Sequence, residues 1–322
     1  MEEKDTGQAR SLDLQTRTNL FILRRSASIN RKYLPSKTEY ILFCRPQPSQ
    51  ISVYLEVLKS KVVTDVIQSD NASSNILQVI CVLRKLCNHP KLVDNTFYQV
   101  MGSMHASHIV EKSGNTIGKG RYQKQKLQYR FEPGDIGLSG KLQCLDLLLS
   151  SIFQLSSITK DRVVIVSNFT QTLDIIQGLC DHRCWKWLRL DGKTDTSSRQ
   201  QLVDRFNKDF GDELVFLLSS KAGGTGLNLI GANRLVLFDP DWNPAIDAQA
   251  MARVWREGQA KPVIIYRLLT TGSIEEKIYQ RQVMKGEVAA SIGGYIDTVT
   301  TSKNGGQHFS REELQELFSF HM

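Results

Sequence analysis

Four runs of almost uninterrupted apolar residues, at 162–167, 213–218, 234–238 and 263–269, alternate with stretches of helical periodicity. A strand that is apolar at every position, rather than at every second one, must be covered on both faces. Helices between such strands cover both faces as crossover connections, and these join parallel strands. The expected fold class is therefore α/β, a parallel sheet with helices on both faces. A further short strand is expected at 187–190. Helices are expected from Leu142 through Leu145 and Leu148 to Leu149, and at 171–179, 197–207, 246–255 and 273–284.

The N-terminal third reads differently. Residues 40–44 are strand-like. One helix is expected at 49–66, with Ile51, Tyr54, Leu55 and Leu58 at helical spacing, and another at 74–87, with Ile76, Val79, Ile80, Leu83 and Leu86 on one side. Glycines and polar residues crowd 94–137, which also holds a basic cluster at 119–126; this reads as a mobile loop or linker, and plain solubility is the blander reading of its charge. Near the C-terminus, Ser310 to Leu314 has the form of a capping-box helix start.

The chain has 322 residues, 41% hydrophobic and 23% charged, an ordinary globular balance. Its net charge of +8 is compatible with nucleic acid but is shared by many proteins that bind none. No apolar run approaches membrane-spanning length and residues 1–5 hold no apolar signal core, so an intracellular protein with no membrane partner is expected. The six cysteines include no CxxC pair. Cys180 and Cys184 flank His182, but no second ligand pair accompanies them, and a helix end with reduced thiols is the plainer reading. No metal site is expected.

Three nucleotide-site look-alikes fail. Gly192-Lys193-Thr194 ends like a phosphate loop, but Trp187 stands where that loop needs glycine. Gly224-Thr225-Gly226 has Leu229 at the third glycine position of a dinucleotide fingerprint. Asp212-Glu213 precedes its strand, whereas a magnesium-holding pair should leave a strand's C-terminal end. The richest segment is 219–259. It holds Ser219-Ser220-Lys221-Ala222-Gly223-Gly224-Thr225-Gly226-Leu227-Asn228-Leu229, then Asp239-Pro240-Asp241-Trp242-Asn243-Pro244, then Arg253 and Arg256 three apart on an expected helix. Glycines and backbone amides suit phosphate, and two arginines at that spacing reach one polyanion.

These blocks resemble motifs V and VI of the Swi/Snf family of DNA-dependent ATPases, within helicase superfamily two. Other segments are similar to that family in the same order: Leu-Arg-Lys-Leu-Cys-Asn-His-Pro at 83–90, Ser-Gly-Lys-Leu at 139–142, Ser167-Asn168-Phe169-Thr170 in motif IV, Leu190-Asp191-Gly192 with Arg199, and Glu275-Glu276-Lys277-Ile278 of a bracing helix. Phe21 to Arg25, Lys32 to Pro35 and Leu227 to Arg234 look like the Rad-type recombination-repair branch, as does Met251 to Arg256; Ser26 stands where that branch usually has threonine.

The resemblance implies a second RecA-like lobe over 139–285. Residues 1–138 would hold the end of a first lobe, a helical protrusion and a linker, and 286–322 a tail with a short helix. It implies that Arg253 and Arg256 reach ATP phosphates bound, with magnesium, mainly by the first lobe, which this chain lacks. Arg256 is the better finger candidate; the alternative for both is surface ion pairing. Gly224, Gly226 and Asn228 would let the backbone approach the cleft, or form only a tight turn. Gln249 would orient the helix or touch nucleotide. Ser167, Asn168, Arg199, Ser219, Ser220 and Lys221 would face DNA phosphates, Arg199 alternatively being a solvated helix residue. Trp242 would insert toward the minor groove, or close its proline turn as a core residue. The implied protein is a nuclear double-stranded DNA translocase of homologous recombination and repair, acting on recombinase–DNA or nucleosomal complexes, and the isolated chain is not expected to hydrolyse ATP. A truncated, non-catalytic DNA- or partner-binding module is the alternative.

Overall fold

The computed structural model describes residues 6, 9–10, 12–13, 16–17, 21, 32–68, 73–93, 131–208, 211–222, 226–291 and 311–321. The expected 94–137 linker lies mostly outside them. Among the described residues, β1 (Lys37–Cys44), β2 (Val163–Ser167), β3 (Trp187–Leu190), β4 (Val215–Ser219), β5 (Arg234–Leu237) and β6 (Val263–Thr270) form one six-stranded sheet in the order β1-β6-β5-β2-β4-β3. Every pairing is parallel. The sheet draws its edge strand β1 from before residue 139 and pairs it with β6 over eight residues.

Alternation along the strands builds a core on each face. Val163, Ile165, Val215, Leu217 and Val236 pack with Leu142, Leu145 and Leu149 of α4 (Gly140–Thr159) and with Leu173, Ile176 and Leu179 of α5 (Thr170–His182). Val164, Val166, Phe216, Leu218 and Leu235 point the other way. They meet Val203 and Phe206 of α6 (Thr196–Asn207) and Ala250 and Val254 of α7 (Pro244–Val254). Full burial of each such side chain stabilises by roughly 1.5–3 kcal/mol.

A third cluster is helical. The residues expected in a single helix at 49–66 form two, α1 (Pro48–Lys59) and α2 (Lys61–Gln68). Ser60 takes extended backbone angles between them, its hydroxyl donating to the Val57 carbonyl and accepting from the Val63 amide. That local side-chain bonding competes with helix continuation. With α3 (Ser73–Asn88) they bury Val53, Tyr54, Val57, Val63, Ile76, Val79, Ile80, Leu83 and Leu86.

The tail belongs to this cluster too. Leu314, Leu317 and Phe318, on or beside α9 (Arg311–Leu317), pack with Ile274 and Ile278 of α8 (Ile274–Ser291). Lys277 Nζ donates to the Glu316 carbonyl and, at 2.5 Å, to that of Ser319. Gly272 accepts from the His321 amide with φ at +69°, and a Cβ there would lie 1.7 Å from the His321 oxygen. Gly140 is similarly constrained, its Cβ position being 1.9 Å from the Arg45 oxygen.

His89, at the end of α3, is 1% exposed. Its Nδ1 accepts from the Lys91 amide at 3.1 Å, so Nε2 carries the proton toward the Asp135 carbonyl. Burial lowers its pKa to about 4. Between the unfolded value of 6.5 and about 4, the unfolded chain binds a proton that the folded one refuses. Stability is therefore complete above pH 6.5 and falls as pH drops through that window, by on the order of 3 kcal/mol from this group. Urea melts from pH 7 to 4 should show the loss, and His89→Gln should flatten it; an unchanged slope in the variant would refute the assignment. None of the described helices is long and apolar enough to cross a membrane.

Candidate functional site at the C-terminal ends of the strands

In parallel sheets, ligands gather outside the carboxyl ends of the strands. Ser167 ends β2, Ser219 ends β4, and Asp239 follows β5 closely. The Asp239 carboxylate organises this edge. Its Oδ2 accepts from Ser167 Oγ at 2.5 Å and its Oδ1 from the Asn168 amide at 2.9 Å and from Asn168 Nδ2 at 2.7 Å. Asn168 Oδ1 in turn accepts from Ser220 Oγ at 2.6 Å, and the Ser220 amide donates to the Ser167 carbonyl.

Ser167 and Ser219 are buried, behind the surface rather than on it. Asn168 and Ser220 are half-buried, and Lys221 is exposed. Arg199 is half-buried on α6, with Nη1 on the Ala222 carbonyl and both Nε and Nη2 on that of Thr194. That placement ties it to the 219–222 turn, so it is not simply a solvated helix residue.

The two arginines differ. α7 stops at Val254, so Arg256 lies past the helix end, not on the helix as expected. The cause is Gln259, a buried residue whose Nε2 donates to the Val254, Ile230 and Ala232 carbonyls. Preceded by Gly258 at φ +93°, it caps the helix and turns the chain. Arg253 is 9% exposed, and burial lowers its pKa. Its carbonyl accepts from the Leu229 amide at 2.9 Å.

Arg256 is half-buried, with Nη1 3.3 Å from both the Gly226 and Leu227 carbonyls. Such long contacts are readily exchanged for a better acceptor such as phosphate. Asn228 joins the same turn. Its carbonyl accepts from Asn207 Nδ2, and its buried Oδ1 has no hydrogen-bond partner among the described residues. Gly226 is exposed, and a Cβ there would meet nothing within 4 Å, so no packing constraint demands glycine. Gly224 lies outside the described residues. Gln249 is exposed on α7.

What anchors α7 escaped the sequence reading. Asp247, in its first turn, accepts from Arg267 Nη1 at 2.6 Å and from Gln282 Nε2 at 2.9 Å, and Arg267 also reaches Glu39 on β1. Burial pushes the Asp247 carboxyl up, against the pull of Arg267. Trp242 is half-buried and packs against the helical cluster of α1, α3, α8 and α9. Arg256 lies against the 226–227 backbone. Among the described residues, no group of three or more histidine, cysteine or acidic side chains gathers as a metal ligand set.

The comparisons with known proteins decide the family. A model of the helicase conserved C-terminal domain matches residues 140–258, and one of the SNF2-related domain matches 2–92. Over 99% of its length the chain is 48% identical to "DNA repair and recombination protein RAD54B" of Homo sapiens and 44% identical to "Protein CHROMATIN REMODELING 25" of Arabidopsis thaliana.

The chain belongs to the Swi/Snf family of helicase superfamily two and is Rad54-like.

It covers 34% of each of those two relatives' lengths, so it matches one third of a longer polypeptide. Among solved structures, the C-terminal part of the Fun30 ATPase domain aligns at TM-score 0.58, with 29% identity, over 77% of this chain and 90% of that one. The Sulfolobus solfataricus SWI2/SNF2 ATPase core in complex with dsDNA aligns at TM-score 0.61, with 23% identity, over 97% of this chain and 56% of that one. The fold shared with these ATPase domains is the RecA-like parallel sheet.

Proposed function

We propose that this Rad54-like chain is the C-terminal motor lobe of an ATP-dependent double-stranded DNA translocase, nuclear, and serving homologous recombination and repair on recombinase–DNA or nucleosomal complexes. The observation that carries the reading is the convergence of the 167–168, 219–222 and 239–242 turns at the carboxyl ends of adjacent parallel strands, with Arg256 on the 226–227 backbone. The names of the relatives, DNA repair and recombination proteins, support it, as does a fold neighbour that holds duplex DNA.

In this reading the RecA-like lobe spans 139–285 together with the β1 edge, residues 1–138 otherwise carry the end of a first lobe and the protrusion, and 286–322 is a tail. ATP supplies the driving free energy. Its phosphates, with magnesium, are held mainly by the first lobe, while Arg253 and Arg256 approach from this one. Gly224, Gly226, Asn228 and Gln249 border the cleft. Lys221, Ser220, Asn168 and Arg199 meet DNA phosphates, contacts that position without reading sequence. Ser167 and Ser219 support them from behind.

The test is duplex-stimulated ATP turnover and triplex displacement by a motor in which this chain is joined to a phosphate-loop lobe; absence of any duplex stimulation would overturn the proposal. In the same motor, Trp242→Ala should weaken duplex stimulation and slow displacement, in line with roughly 1–3 kcal/mol of lost stacking. Displacement at the parental rate would remove the wedge role. A markedly earlier melt would instead assign Trp242 to the helical core it touches.

A further inference from the structure

The protrusion helix α3 does more than carry an apolar stripe. Arg84 and Asn88, one helical turn apart, project from one face of α3. Both reach across the chain to the candidate DNA edge. Arg84 Nη2 donates to the Pro240 carbonyl at 2.7 Å, and its guanidinium lies 5.2 Å from the centre of the Phe169 ring. Asn88 Nδ2 donates to Asp239 Oδ2 and to Thr172 Oγ1, each at 2.9 Å. Asn88 Oδ1 accepts from Lys141 Nζ at 2.6 Å, and its carbonyl accepts from Ser139 Oγ at 2.7 Å. Asn88 is 1% exposed and Arg84 9%. Neither contacts solvent enough to bind a ligand itself.

We infer that Arg84 and Asn88 are positioning residues: they clamp the 167–169 and 239–242 turns to the protrusion, so that the DNA-facing loops and α3 move as one body. The inference rests on the proposed DNA-facing role of those loops. Its physical basis is satisfaction of buried groups. Asp239 has its two oxygens shared among Ser167, Asn168 and Asn88. Withdrawing Asn88 removes the donor that fixes Oδ2 from the protrusion side and leaves the carboxylate free to turn with the loop. Arg84 holds the next residue, Pro240, and the ring that follows Asn168. Displacement of α3 therefore reaches Asn168 in two bonded steps, through Asp239, and Ser220 in a third.

A charge swap tests this. Asn88→Asp sets a second carboxylate against Asp239, whereas Asp239→Asn in the same chain restores a donor between them. The new amide keeps an oxygen for Asn168, and the Thr172 hydroxyl can turn to donate. Ser167 Oγ already has the Phe169 carbonyl as a further acceptor, at 3.3 Å. Hydrogen exchange would be read at the Asn168 and Ser220 amides and, as reference, at core amides of β2 and β4. Anisotropy of a labelled duplex would be measured well below the lowest melting temperature.

Asn88→Asp is expected to speed exchange at Asn168 and Ser220 and to weaken duplex affinity, each about tenfold, the size of one buried group left unsatisfied. Exchange in the β2 and β4 reference amides should change far less. The double variant should recover both readouts. Exchange at Asn168 that rises only in step with the reference amides, or a swap that restores melting but not loop protection, would overturn the clamp. If the parental chain binds no duplex at low salt, the DNA reading fails, and the clamp is then decided by the exchange data alone.

Discussion

In a two-lobed motor carrying this chain, Arg256→Ala is expected to cut ATP turnover by roughly 10³-fold, the scale of an arginine finger, with duplex affinity and melting nearly unchanged. Preserved stability is expected because Arg256 lies past the end of α7 and, among the described residues, its side chain makes two 3.3 Å contacts, to the Gly226 and Leu227 carbonyls. Arg253 is a poorer probe. It is 9% exposed and its removal would open a cavity beneath α7, mixing folding with chemistry. Steady-state turnover at saturating duplex, measured with anisotropy on the same protein, separates the possibilities. A fall in DNA affinity without loss of turnover per bound motor would make Arg256 a DNA contact and remove it from the ATP site.

The second large effect is on stability. Lys141 and Glu275 are both fully buried and meet at 2.6 Å. Lys141 Nζ also donates to Asn88 Oδ1 and the Phe238 carbonyl, and the other Glu275 oxygen accepts from the Thr270 amide. Burial pushes the Glu275 carboxyl up, and Lys141 pulls it back. Lys141→Met leaves that carboxylate without its cation, and losing one partner of a buried pair costs about 3–5 kcal/mol. Melting should drop by on the order of 10 °C. The double variant Lys141→Met with Glu275→Leu should recover much of the loss, since desolvation of both charges is then avoided. A double variant no more stable than the single would place the loss in the orphaned Asn88 Oδ1, Phe238 carbonyl and Thr270 amide rather than in the unpaired charge.

These two effects lie at different depths of the chain's legibility. The parallel sheet was readable because 163–166, 215–218 and 235–237 are apolar at every position, which leaves no solvent face and forces helices onto both sides. The face of α3 was readable from the spacing of Ile76, Val79, Ile80, Leu83 and Leu86, all of them buried. Local chemistry defeated the reading at two places. Ser60 divides the expected helix at 49–66, and Gln259, by capping α7, takes Arg256 off it. Both depend on a single polar side chain bonding to backbone, which periodicity does not register.

The sequence by itself determined the layer architecture and the family blocks, because periodicity and motif order survive without coordinates. Tertiary structure alone decided how the blocks meet. Asp239, Asn88, Lys141 and Glu275 come from four separate segments. Their hydrogen bonds span from 53 to 151 positions of chain. Ser167 and Ser219, polar residues at strand ends, turned out to be buried supports, and Trp242 to be packed on the helical cluster. The physical reason is one of range. Burial patterns are set by neighbours three or four residues away, whereas a buried charge is tolerated only when a partner arrives from elsewhere in the chain, and only the folded sheet brings that partner in.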